Sequence, residues 1–187
     1  MKIELLRVAA FCAYLLSWLV LAVAAVAGAM PGFGRRRQVA VSITVPVLIG
    51  TLLQAGAALV ITLTMRDGPL RPSAFELAGA LGLSPLAAAL FVWALRSAPG
   101  DSGAERLATS GAYAWLRHPI YLAFLAMLVA TGLLASSGLK LAAAAALYLA
   151  GTELRIAFEE AGLAGQFPEE YAQYRLRTRW RYLPGLR

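Results

Sequence analysis

The sequence holds little charge, one cysteine and one histidine. Asp, Glu, Lys and Arg make up 14% of its 187 residues, whereas soluble domains carry about 25%. Cys12 has no second cysteine with which to pair, which excludes a fold held together by internal disulfides. Any chemistry that needs an imidazole must come from His118. The shortage of charge excludes an ordinary soluble protein.

The sequence is instead strongly apolar, with 60% hydrophobic residues and a mean hydropathy of +0.68. Five apolar stretches stand out, at 5–30, 39–65, 73–95, 120–134 and 139–154. A membrane-spanning helix needs about 20 such residues, so the first three stretches suffice alone. The last two are short, and we expect them to form a tight helical hairpin around Ser136, Ser137 and Gly138. Since no stretch alternates like a barrel strand, the sequence predicts an all-α, polytopic integral membrane protein with five transmembrane helices.

The distribution of Lys and Arg predicts the topology, because cytoplasmic loops are enriched in both residues. With five spans, the side that holds the C-terminus carries twelve of the 17. These are Arg35, Arg36, Arg37, Arg96, Arg106, Arg117, Arg155, Arg175, Arg177, Arg179, Arg181 and Arg187. We therefore expect the N-terminus outside and the C-terminus in the cytoplasm, with a C-terminal cytoplasmic amphipathic segment. The net charge of +7 then reflects this bias and attraction to anionic lipid headgroups, and no nucleic-acid partner is predicted.

Polar residues divide the chain into two parts. Residues 1–96 are predicted to form a three-helix transmembrane scaffold, with Gln54 and several Ser and Thr as the polar exceptions. Four small residues in these helices are expected to let helices approach closely in lipid: Gly50, Gly56, Gly79 and Gly82. Residues 97–187 contain the predicted hairpin and nearly all of the residues that could carry chemistry.

The first polar cluster, at 111–121, directly precedes and opens the fourth apolar stretch. Pro119 suits the first position of a helix, where its missing N–H is not needed. His118 would then be the N-cap residue, and together with Arg117 and the free helix amides it could bind a carboxylate or a phosphate. The alternative is structural: Arg117 extends to the membrane surface, His118 only caps the helix, and the nearby aromatic residues form an interfacial belt.

The second polar cluster, at 153–160, ends the fifth stretch. Arg155 and Glu159 are four residues apart and can pair on one helix face, while Glu160 points about 100° away toward another neighbour. The cluster could simply be a solvated helix end. A hairpin, however, places both clusters on the same side of the membrane, where they could line one pocket.

The ordered motifs of the C-terminal half resemble the isoprenylcysteine carboxyl methyltransferase family and, more distantly, the phospholipid N-methyltransferases. The resemblance covers about 105–184. It lies in the segments at 107–113 and 117–121, in Glu159-Glu160-Ala161-Gly162-Leu163, in the segment at 167–174 and in Pro184. Two residues depart from the family pattern, since Ala123 and Pro168 stand where glycines are usual.

The resemblance implies methyl transfer that depends on S-adenosyl-L-methionine and yields S-adenosyl-L-homocysteine. The cofactor contacts that it implies are Leu107, Ala108, Tyr113, His118, Pro119, Ile120, Tyr121, Glu159 and Glu160. Arg155 would lie near the methyl acceptor, and Arg155 and Glu159 would be the catalytic residues. The acceptor would be lipophilic, either the carboxylate of an isoprenylcysteine-like substrate or a lipid amine, and no metal is implied. The compact five-span form resembles prokaryotic members, which implies the inner membrane with the active site facing the cytoplasm.

Two other functions fit part of the sequence. A sterol-reductase-like membrane enzyme would bind NADPH in a related helical pocket, although it should be larger and more basic near the pocket. A non-catalytic membrane scaffold would not depend on Arg155 or Glu159 for binding any ligand.

Overall fold

The computed structural model describes residues 2–29, 45–64, 71–98, 106–135 and 137–185. These residues form six α-helices and no strand. The helices are α1 (Lys2–Ala29), α2 (Val45–Thr64), α3 (Ala74–Ser97), α4 (Pro119–Ala135), α5 (Gly138–Gln166) and α6 (Pro168–Arg177), with a short 3₁₀ helix at Gly111–Ala114 before α4. The all-α prediction is confirmed for the described part of the chain.

Local sequence signals set several helix boundaries. At the start of α3, the Ser73 hydroxyl accepts from the backbone amide of Glu76 at 3.3 Å, and the Glu76 carboxylate accepts from the Ser73 amide at 2.7 Å. This reciprocal pair satisfies two amides that a helix start leaves free. The first residue of α4 is Pro119, as predicted. The α4–α5 hairpin is also confirmed, because α4 ends at Ala135 and α5 begins at Gly138.

Four helices are long and apolar enough to cross a membrane: α1, α2, α3 and α5. With 17 residues, α4 is shorter and lies at the lower limit for a span. Large apolar side chains cover the outside of α1 and α2, among them Leu5, Leu15, Leu16, Leu48, Leu52 and Leu59. These helices indicate an integral membrane protein. The fifth span and the orientation remain predictions, and Arg35, Arg36, Arg37 and Arg187, which entered the charge count, lie outside the described residues.

The short helix α4 occupies the middle of the helix packing. Its Met127 packs with residues of α1 and α3, its Leu128 packs with residues of α2 and α5, and its Leu134 packs with the N-terminal halves of α1 and α3. Ten of its 17 residues are buried. The start of α4, where the first polar cluster lies, is therefore held from several directions.

Helices α2 and α5 are in close contact at a pair of glycines. A Cβ atom on Gly151 would lie 2.5 Å from the carbonyl oxygen of Gly50, and one on Gly50 would lie 2.6 Å from Cγ of Arg155. Such spacing leaves no room for a side chain. The prediction that Gly50 allows close helix approach is confirmed, and its partner is the helix that carries the second polar cluster. The same prediction is wrong for Gly56 and Gly82, where an added Cβ would meet no atom of the described residues within 4 Å.

A glycine with positive φ joins the end of α3 to the segment before α4. Gly111 has φ of +58°, a conformation that favours glycine, and it opens the 3₁₀ helix. The amide of the next residue, Ala112, donates to the Ser97 hydroxyl at 3.1 Å. This contact fixes the first polar cluster to the end of α3.

The glycine contact predicts a difference between two matched substitutions. Gly151→Ala should destabilise the protein by about 1–3 kcal/mol, because the added methyl group overpacks the α2–α5 contact. Gly56→Ala on α2 is the control, since a Cβ there would meet no atom of the described residues within 4 Å. Thermal unfolding in detergent micelles should show a lower midpoint for Gly151→Ala only; equal midpoints would contradict the contact.

Candidate active site

Arg117 is buried and bound on two sides, with 3% of its side chain exposed. Its Nε donates to Oε1 of Glu160 at 2.8 Å, and its Nη1 donates to the carbonyl oxygens of Thr178 and Arg179, each at 2.9 Å. Arg117 therefore does not extend to the membrane surface, and these two nitrogens are not free to bind an external anion. The interpretation that Arg117 extends to the membrane surface is wrong, because Glu160 and the carbonyls of Thr178 and Arg179 hold its guanidinium inside the protein. Binding of an external carboxylate or phosphate at this helix start stays a prediction.

The imidazole of His118 lies between the two consecutive glutamates of α5. Its Nε2 is 3.3 Å from Oε1 of Glu160, and its Nδ1 is 3.6 Å from Oε2 of Glu159. The His118 backbone amide donates to the carbonyl of Arg181 at 2.8 Å. The two polar clusters therefore meet, as predicted from the hairpin.

Arg155, Glu159 and Tyr121 form a second set of contacts at this meeting point. Nη2 of Arg155 lies 3.3 Å from Oε1 of Glu159, which confirms the predicted pair. The Tyr121 hydroxyl donates to the same carboxylate oxygen through a short hydrogen bond. The Arg155 guanidinium also lies over the Tyr121 ring, 5.3 Å from its centroid, within the range of a cation–π interaction.

The chain after α6 folds back over the site, which sequence patterns did not predict. Arg181 bridges two acids, since its Nη1 is 2.8 Å from Glu153 and its Nη2 is 3.4 Å from Glu160. The Tyr182 hydroxyl donates to Glu153 at 2.7 Å. Burial and the nearby Glu153 carboxylate raise the pKa of Tyr182, which keeps its proton available for this bond. No periodic signal marks this segment; its arginines were visible only as part of the charge count.

The remaining predicted cofactor residues lie around the beginning of α4 and the end of α3. Pro119 is buried at the start of α4, and the Tyr113 ring packs with Ala94, Ala98 and Ala112. Ala108 and Ile120 pack on the same apolar group, and Leu107 is half-buried just before it. The structure thus brings together His118, Tyr121, Arg155, Glu159 and Glu160. It places Ala108 and Tyr113 at the junction with α3. Contact of Leu107, Ala108 and Tyr113 with a cofactor stays a prediction.

Gln54 reaches the site from α2, which the sequence assigned to the scaffold. Its Oε1 accepts from Nη1 of Arg155 at 3.1 Å, and its Nε2 donates to the Thr152 hydroxyl at 2.9 Å. The sequence signal was its polarity within an apolar stretch. The identity of its partners depends on helix packing and was not predictable.

The charges of the site divide into a closed pair and an open pair. Arg117 and Glu160 have 3% and 9% of their side chains exposed, whereas Arg155 and Glu159 have 28% and 17%. Removing one partner of a buried ion pair costs several kcal/mol, so Arg117 and Glu160 are suited to a structural role. The more accessible Arg155 and Glu159 can still contact a ligand that carries both a positive and a negative group.

Fold and site together define the class: an α-helical integral membrane protein with a compact charged site at the flanks of a helical hairpin. The model of the isoprenylcysteine carboxyl methyltransferase (ICMT) family matches residues 80–165, from within α3 almost to the end of α5. This match, over just under half of the chain, confirms the predicted family resemblance. No curated protein matches the chain significantly. The family match and the apolar helices indicate a membrane methyltransferase.

The Arg117–Glu160 pair makes a prediction about stability. Arg117→Met should lower the free energy of unfolding by about 3 kcal/mol, because it leaves a buried carboxylate with weaker partners. The matched control is Arg177→Met on the exposed end of α6. Thermal unfolding in micelles measures both, and the double variant Arg117→Met/Glu160→Gln should recover part of the loss. Equal unfolding midpoints for the two arginine variants would contradict this role.

Proposed function

We propose that the protein is an integral membrane methyltransferase that uses S-adenosyl-L-methionine and methylates a lipophilic acceptor. The acceptor would be the carboxylate of an isoprenylcysteine-like substrate or a lipid amine. The observation that carries the proposal is the juxtaposition of His118 with Glu159 and Glu160 inside the segment that matches the ICMT family.

The donor set fits the charged end of this cofactor, which bears an ammonium and a carboxylate. Glu159 is the better acid for the ammonium, because it is more exposed than Glu160 and has fewer cationic partners. His118 and the N-terminus of α4 would favour the carboxylate, since helix amides and the helix dipole attract anions. The Tyr121 ring, which already accepts a guanidinium on its face, would suit a sulfonium in the same way.

The bound cofactor supplies an activated methyl group on a sulfonium centre. Arg155 would hold a carboxylate acceptor with one oxygen in line with that group, and much of the rate would come from this placement. A carboxylate acceptor carries no proton, so the chain need not supply a base. The apolar surfaces of the surrounding helices would admit a lipid tail and keep water scarce near the reacting atoms.

The topology belongs to the same proposal. Five spans with the C-terminus inside would place the active site at the cytoplasmic face of a prokaryotic inner membrane. Residues 1–96 would act mainly as scaffold and 97–187 as the methyltransferase core. Three arginines that follow α5 are exposed and support this orientation: Arg175, Arg177 and Arg179.

Calorimetric binding to the purified protein tests the proposal. Binding of S-adenosyl-L-homocysteine should produce a measurable heat, whereas addition of NADPH should produce none. Tight NADPH binding without binding of the methyl donor or its product would favour the reductase alternative. Binding of neither class of ligand would favour the scaffold.

A matched pair of variants makes the same measurement specific for the site. Glu159→Gln should weaken binding of S-adenosyl-L-homocysteine about tenfold, because it removes the charge that faces the ammonium. Glu169→Gln, on the exposed first turn of α6, should leave the affinity unchanged. Equal affinities for the two variants would remove Glu159 from the cofactor site.

A further inference from the structure

The middle of α2 carries a polar side chain that binds two residues of α5. Gln54 is the tenth residue of the 20-residue α2, so about 15 Å of helix extends on either side of it. Polar groups at such a position in an apolar helix are costly unless they are paired. Both ends of the Gln54 amide are paired, with Arg155 and Thr152.

The geometry of these contacts fixes the orientation of Arg155. Gln54 Oε1 accepts from Nη1, Glu159 accepts from Nη2 at 3.3 Å, and the Tyr121 ring lies beneath the guanidinium plane. The other end of the Gln54 amide is tied to the hydroxyl of Thr152, which is fully buried on α5 three residues before Arg155. The guanidinium is therefore held at both of its terminal nitrogens, one of them by α2.

The close contact between α2 and α5 fixes the position of Gln54 along the helix axis, level with Thr152 and Arg155. On α2, Gly50 lies one helical turn before Gln54, and on α5, Gly151 lies next to Thr152. A Cβ on Gly151 would also lie 3.1 Å from Cγ of Gln54. Neither helix can slide past the other without breaking both hydrogen bonds of the Gln54 amide group. The helix packing therefore sets the position of the Gln54 side chain.

We propose that Gln54 is a positioning residue for the methyl-transfer reaction: it holds the Arg155 guanidinium in the orientation that presents the acceptor. This inference rests on the proposed function and extends the site from the C-terminal half into α2. An arginine side chain has many rotamers and loses much conformational freedom when it is held in one of them. Gln54 therefore lowers the cost of aligning the acceptor, without touching the cofactor end of the site.

Steady-state kinetics of purified, reconstituted protein test this role. The probes are S-adenosyl-L-methionine with N-acetyl-S-farnesylcysteine as a carboxylate acceptor, and with phosphatidylethanolamine vesicles as an amine acceptor. Gln54→Leu keeps a side chain of similar size and removes both hydrogen bonds of the Gln54 amide group. It should lower kcat/KM for the acceptor about ten- to hundred-fold, while the affinity for S-adenosyl-L-homocysteine stays within about twofold of wild type. Thr62→Val is the control on α2, because Thr62 is exposed and its hydroxyl donates to the carbonyl of Ala58 in its own helix.

A double-mutant cycle separates positioning from simple helix association. Gln54→Leu should cause no further loss of kcat/KM in an Arg155→Lys background, since its effect passes through the guanidinium. Equal losses in both backgrounds, or wild-type kinetics for Gln54→Leu in an active enzyme, would overturn the positioning role and leave the proposed function intact. No methyl transfer and no cofactor binding by the wild-type protein would overturn the proposed function, and the positioning role with it.

Discussion

The site depends on the contacts that the Glu160 carboxylate makes with three basic side chains. Arg117 at 2.8 Å, His118 at 3.3 Å and Arg181 at 3.4 Å all converge on it. A buried carboxylate needs such partners, because desolvation of an unpaired charge costs several kcal/mol. The partners come from the loop before α4 and from the C-terminal segment, while Glu160 itself lies on α5. One charge therefore holds three separate parts of the chain together.

This arrangement gives the two neighbouring glutamates different environments. Glu160 is enclosed by cations of the protein, whereas Glu159 shares its charge with Arg155 and Tyr121 and stays more accessible. Residues one apart on a helix point about 100° from each other, so a Glu-Glu pair can present one acid to the interior and the other to a ligand. Glu160 is therefore placed to hold the parts of the site together, and Glu159 is the acid to which the proposed function assigns the ligand.

Sequence reasoning succeeded where the relation was local. Arg155 and Glu159 share a helix face by their spacing, Pro119 starts a helix by its chemistry, and the hairpin follows from two short apolar stretches. Sequence reasoning failed where a pair depends on the packing of segments that are far apart in the sequence. Arg117 and Glu160 are 43 residues apart, and Arg155 is 101 residues from Gln54, so no periodic pattern connects them. The return of the C-terminal segment rests on backbone bonds from the amides at 117 and 118, which leave no mark in side-chain patterns.

The central claim, methyl transfer to a lipophilic acceptor at this site, is tested most directly with a radiolabelled methyl group. Membranes that contain the wild-type protein or Arg155→Ala are incubated with S-adenosyl-L-methionine tritiated on the methyl carbon and then extracted with organic solvent. The account predicts label in the organic phase for wild type and a strong reduction for Arg155→Ala at equal protein amounts. Label that stays in the aqueous phase for both, or reaches the organic phase equally for both, would contradict it.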